Sequence, residues 1–123
     1  MKHSRNIFDS FRFAFAGLGY VLRTQRNMRI HIIIAVAVIG LGLGFDLSLT
    51  QWATLILAIG FVLVGEMLNT VVEKLVDLVS PEFHPLAKVV KDVTAGVVLL
   101  TAIVSVVVGM LILGPPLCSR VGW

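Results

Sequence analysis

Four polar side chains, Glu66, Asn69, Glu73 and Asp77, recur at i, i+3, i+7 and i+11. At about 100° per residue they fall within roughly 80° of one another on a helix, forming one acidic stripe opposite Met, Leu and Val. Three carboxylates and an amide on one face repel one another unless a cation, a basic partner or a proton sits among them. Such a set suits metal binding or general acid/base chemistry. The plainer reading is a solvated helix face just outside a bilayer. Glu66 argues against that, because it follows fourteen residues without a charge, Trp52 to Gly65. A carboxylate so close to hydrocarbon points to function.

The elements that must position this stripe are membrane helices. Apolar residues make up 58% of the 123, more than a soluble domain carries. The chain reads as one domain, residues 1–123, all-α, with room for spans of about twenty residues each and little else. Any sizeable cavity must lie between spans or between subunits.

Residues 6–23 read as an amphipathic interfacial helix, with Phe8, Phe11, Phe15, Leu18 and Leu22 at spacings of 3, 4, 3 and 4; packing on the bundle is the alternative. A short basic hinge, Arg23 to His31, leads into a first span over about residues 30–45. Its arginines either hold phosphates or anchor the span at an anionic leaflet, and Arg29 is the candidate substrate contact. A helix over Leu49 to Val79, roughly 45 Å long, exceeds the roughly 30 Å hydrocarbon core. It spans with about residues 50–70, and its last turns emerge. Glu66 comes about 24 Å along it, near the inner boundary. Ser80 to Pro85 is the turn, with Pro85 at the first position of the next helix. That helix spans with about residues 93–113, and Gly114-Pro115-Pro116 is expected to end it, leaving Trp123 as an interfacial anchor.

Six of ten basic residues precede the first span, three (Lys74, Lys88, Lys91) lie between the second and third, and none lies between Leu41 and Glu73. The positive-inside rule then places the N-terminus and the region 66–92 in the cytoplasm. The first apolar run lacks a small-x-small cleavage site, so no removal of a leader is expected. The single cysteine, Cys118, permits no internal disulfide. The basic clusters lack interleaved aromatics, which argues against nucleic acid as a partner.

The chain has no Gly-x-x-x-x-Gly-Lys-Ser/Thr loop, no Gly-x-Gly-x-x-Gly and no zinc spacing. Phosphoryl transfer needs less: cations against the phosphates, a bridging metal and a base that orients the nucleophile. Glu66, Asn69, Glu73, Lys91 and Asp92 contain those parts.

Glu66-Met67-Leu68-Asn69-Thr70-Val71-Val72-Glu73, then Val76-Asp77, Glu82-Phe83-His84 and Ala87 to Lys91-Asp92, resemble the signature of the small bacterial integral-membrane lipid kinases, the prokaryotic diacylglycerol kinase and undecaprenol kinase family. The resemblance covers about residues 5–113. Arg26-Asn27-Met28-Arg29-Ile30-His31 and His84 to Lys88 look more like the undecaprenol kinase branch.

The resemblance implies three transmembrane helices and a surface helix, assembled as a homotrimer with sites shared between subunits in the bacterial inner membrane. It implies MgATP as phosphate donor and a lipid alcohol as acceptor, undecaprenol before diacylglycerol. Glu66 would be the proton acceptor and Glu73 a Mg²⁺ ligand touching ATP. Asn69 would position phosphate or base, Lys91 and Asp92 would bind the polyphosphate, and Glu82 to His84 would lie against the nucleotide. Asp77 would be structural. One departure stands out: Gln25 occupies the position where the family carries a second metal-binding glutamate, and a neutral amide oxygen is a weaker ligand for a hard cation. Two readings of other classes remain: a small proton-coupled transporter, which needs no polar cluster outside the membrane, and an accessory membrane subunit, for which changing Glu66 and Glu73 leaves no catalytic defect.

Overall fold

A computed structural model describes residues 6–122; Lys2, Arg5 and the expected anchor Trp123 lie outside the described residues. Four helices follow in order: α1 (Ile7–Thr24), α2 (Arg26–Leu43), α3 (Leu49–Val79) and α4 (Pro85–Arg120). The last three are each long and apolar enough to cross a membrane.

α1 starts where Asn6 Oδ1 accepts the backbone N–H of Asp9 at 2.9 Å, satisfying one of the otherwise unpaired N-terminal donors. Its apolar face is not covered by the bundle: Phe8, Phe11 and Phe15 are all exposed. That exposure is consistent with an interfacial helix.

The basic segment Arg23 to His31 is more tightly built than a hinge. The only break is Gln25, in extended conformation at φ −110° and ψ 110°. Its N–H bonds Val21 O at 2.8 Å, and Arg29 Nη1 donates to Leu22 O and Arg23 O at 2.9 and 3.1 Å. With the last carbonyls of α1 satisfied in this way, helix resumes at once, and α2 begins at Arg26 rather than near residue 30.

Ser48 caps α3 in a reciprocal box: its Oγ accepts the Gln51 N–H, and Gln51 Oε1 accepts the Ser48 N–H. At the other end of α3 the chain turns through residues 80–84. His84 Nδ1 accepts the Leu86 N–H at 3.0 Å, and Pro85 supplies the preset φ of a first helical turn.

α4 corrects one expectation, for it runs through Pro115 and Pro116 to Arg120. The two prolines leave the carbonyls of Leu111 and Ile112 without their usual donors. Their fixed φ is nonetheless helical, so the turn after them forms as a first turn does. A tertiary contact holds that turn in place: Arg120 Nη2 donates to Gly44 O at 2.7 Å, and its guanidinium lies 5.1 Å from the centre of the Phe45 ring.

α3 packs most extensively on α4. Gly65 lets Thr101 approach so closely that a Cβ at Gly65 would stand 3.3 Å from its side chain. Farther along, Ser105 Oγ donates to Ala58 O at 3.1 Å. The buried apolar cluster of Leu55, Ile112 and Leu113, walled by Trp52 and Phe45, lies toward the α2–α3 turn. The opposite end of the bundle holds the polar residues.

Candidate active site

Glu66 is the most enclosed large side chain among the described residues, 1% exposed. Its α3 neighbours explain this. Gly65 admits α4 on one side, and Thr70, also buried, turns its hydroxyl back to Glu66 O at 3.1 Å. Glu66 Oε1 is buried without a hydrogen-bond partner. A buried polar atom left unpaired in this way costs roughly 1–3 kcal/mol. Its nearest basic neighbour is His31 of α2, with Nε2 at 3.6 Å, just beyond hydrogen-bonding reach.

His31 also lines a groove of about 440 Å³ between α2, α3 and α4. The groove extends through Ala35, Val38, Leu55 and Ile59 to Leu117 of α4, and its walls are almost wholly apolar. His31 is the polar residue at that end of the groove, and Glu66 stands behind it, 3.6 Å from its Nε2.

The other expected residues are distributed along the polar end. Asn69 and Glu73 are half-buried on α3. Neither side chain makes a hydrogen bond or ion pair among the described residues. Lys91 Nζ reaches across from α4 to Asp77 Oδ1 at 2.9 Å, so Asp77 ties the two helices together. Asp92 instead accepts from Lys88 at 2.7 Å. Glu82 is exposed in the turn, and His84 is both helix cap and wall of a second apolar hollow with Val76, Val79 and Val90. Arg29 is folded onto the end of α1. Gln25 Nε2 donates to Thr24 Oγ1 at 3.4 Å, leaving the amide oxygen free.

One chain therefore brings His31 to Glu66 and Lys91 to Asp77, but it does not gather Glu73, Lys91 and Asp92 around Glu66. Among the described residues no three His, Cys, Asp or Glu side chains converge as a metal cage. Mg²⁺ does not require one, since it is usually held by one or two carboxylates together with substrate phosphates. The free carboxylate of Glu73 and the free amide oxygen of Gln25 are donors of the right kind. The pairing of His31 with Glu66 is what sequence reasoning missed. The available signal was the spacing of Met28, His31 and Ala35, which puts the imidazole on the same α2 face as two residues that are buried.

Residues 12–113 match the family model for prokaryotic diacylglycerol kinase. A diacylglycerol kinase of Synechocystis is 47% identical over 115 residues, 93% of this chain and 66% of that protein, so the chain spans just under two thirds of its length. An undecaprenol kinase of Bacillus subtilis is 41% identical over 110 residues, 89% of each chain. A diacylglycerol kinase of Helicobacter pylori is 44% identical over a shorter stretch of 45 residues. The chain belongs to the prokaryotic diacylglycerol kinase family, a family of lipid kinases.

Proposed function

We propose that the protein transfers the γ-phosphate of MgATP to the hydroxyl of a membrane lipid alcohol, with undecaprenol the preferred acceptor and diacylglycerol the second. The observation that carries this reading is a buried carboxylate with an unpaired oxygen, 3.6 Å from the histidine that lines the polar end of an apolar groove. A lipid tail in the groove delivers its hydroxyl to Glu66, and a base within hydrogen-bonding reach of that proton is what the reaction requires. The hydroxyl proton passes to the Glu66 carboxylate and the lipid oxygen forms its bond to the γ-phosphorus. The bond from that phosphorus to the bridging oxygen breaks, and ADP leaves.

Glu73, with Gln25 as the weaker partner, would hold Mg²⁺, which when bound neutralises charge on the phosphates. Lys91 offers its ammonium to the polyphosphate, Asn69 an amide to phosphate or base, and Asp92 a further polar contact. His84 lines the second hollow, which would receive the nucleotide base, and Glu82 lies in the turn beside it. Arg29, in the first turn of α2, is the arginine closest in sequence to His31 and the candidate lipid contact.

Undecaprenol comes first because the chain and the Bacillus undecaprenol kinase match over 89% of both lengths. The 47% identity to a diacylglycerol kinase keeps the second acceptor in view. The basic residues at the junction of α1 and α2 (Arg23, Arg26, Arg29) and at the adjoining ends of α3 and α4 (Lys74, Lys88, Lys91) favour a cytoplasmic N-terminus and active site in a bacterial inner membrane. A homotrimer would supply from a neighbouring subunit the groups one chain does not gather around Glu66. Mass measurement in nanodiscs tests that assembly, and a fully active monomer refutes it.

The deciding experiment is transfer of labelled γ-phosphate from MgATP to undecaprenol and to diacylglycerol in nanodiscs. Labelled lipid supports the kinase, and the faster acceptor names it. No labelled lipid from wild type or from Gln25→Glu would refute it and return the chain to a transporter or accessory role.

A further inference from the structure

We propose that His31 is the positioning residue for Glu66: its Nε2–H closes onto Oε1 and leaves the second carboxylate oxygen to face the lipid hydroxyl. The inference rests on the lipid-kinase reading above and adds to it a residue on a different helix. Three observations support it. The two side chains are already 3.6 Å apart across α2 and α3, so a shift of under 1 Å makes the hydrogen bond. Oε1 is buried and lacks any other partner. His31 is held on the inward face of α2, between the buried Met28 and Ala35, and lines the groove at the point where a lipid headgroup would arrive.

A carboxylate with no directional partner samples orientations about its own side-chain bonds. A base that must meet a hydroxyl proton at hydrogen-bonding distance loses rate steeply when misplaced by an ångström. His31 fixes that orientation from outside the reacting atoms, so it is a positioning and not a catalytic residue.

The test uses the full chain in nanodiscs with MgATP and undecaprenol, comparing wild type, His31→Ala, His31→Leu and His31→Gln, with Glu66→Gln alongside. Loss of one hydrogen bond to a charged group lowers kcat by about 10- to 100-fold in His31→Ala, while KM for MgATP is unchanged. His31→Leu, which refills the groove, stays as slow, and His31→Gln, which offers an amide N–H, recovers much of the rate. A merely structural histidine would give the opposite order, Leu restoring kcat and Gln not. That order overturns the proposal, as does wild-type kcat in His31→Ala.

A second measurement does not depend on the His31 variants folding. The imidazole ¹⁵N resonances of the unliganded wild-type protein should show a hydrogen-bonded Nε2 at His31 that shifts in Glu66→Gln. An unchanged resonance overturns the pairing. If Glu66→Gln is fully active, the assignment of the base fails. If Glu66→Gln is inactive while His31→Leu matches wild type, only the positioning role fails.

Discussion

Glu66→Gln should move activity and stability in opposite directions, and the structure says by how much. Glutamine keeps the shape of the side chain, so the contact of Gly65 with Thr101 beside it is undisturbed. What disappears is a carboxylate that is 1% exposed, with one oxygen unpaired. A neutral amide is cheaper to bury than an uncompensated carboxylate, so stability should be unchanged or raised, by at most about 3 kcal/mol. The amide accepts no proton from the lipid hydroxyl. Loss of a general base costs about 10²- to 10⁴-fold in kcat, roughly 3–5 kcal/mol of barrier. The assay pairs γ-phosphate transfer at saturating lipid with thermal unfolding of the same preparation. A variant that melts at or above the wild-type temperature and is nearly inactive fits the reasoning. One that melts well below wild type would make Glu66 a structural residue, and one that keeps wild-type kcat would remove it from the chemistry.

Gly65→Ala puts a methyl 3.3 Å from the buried Thr101 side chain, so α3 and α4 must part slightly, at about 1–3 kcal/mol. Thermal unfolding should show the loss, and Thr101→Ala in the same chain should recover most of it. The Lys91–Asp77 bridge has side chains 43% and 61% exposed, so Asp77→Asn should cost less than about 1 kcal/mol and leave KM for MgATP no higher. Lys91→Met should raise that KM by about 10- to 100-fold, as read from ATP titrations of the transfer rate. Gln25→Glu supplies a charged oxygen in place of a neutral one and should lower the Mg²⁺ concentration needed for half-maximal rate, measured at fixed ATP.

The helices were legible because their punctuation is local. Ser48 with Gln51 announces the start of α3 and Pro81 forbids its extension far beyond Val79, so both bounds follow from neighbours in sequence. α4 was misjudged for a related reason. Two consecutive prolines read as a stop, yet Arg120 reaching Gly44 and Phe45 across the bundle holds the following turn in place. That contact joins residues 76 apart and has no local trace. The site divides the same way. That Glu66 is special follows from the uncharged run before it and its depth in a long helix. That His31 faces it depends on the relative rotation of α2 and α3. The Lys91–Asp77 pairing likewise depends on how α3 folds back on α4. Helical periodicity restricts such contacts to a face and does not choose the partner.

The polar end of the bundle divides into a buried half and an exposed half, and the two obey different energetics. Glu66 is enclosed by protein, so its free oxygen has nothing to exchange with except His31 or an incoming hydroxyl, and each such contact counts for much in a dry site. Lys91, Asp77, Lys88 and Asp92 sit in solvent as two exposed pairs. Exposed pairs cost little to open. A polyphosphate, with several charges held together, can therefore draw a lysine away from a single carboxylate at small expense. The unliganded chain thus keeps Lys88 and Lys91 folded onto partners they can readily give up. On the proposed function, binding of nucleotide would rearrange only surface charge, and the one group that must stay fixed is the buried carboxylate. This is why the decisive contacts for rate are expected inside the bundle, at Glu66 and His31, and the decisive contacts for nucleotide affinity outside it, at Lys91 and Glu73.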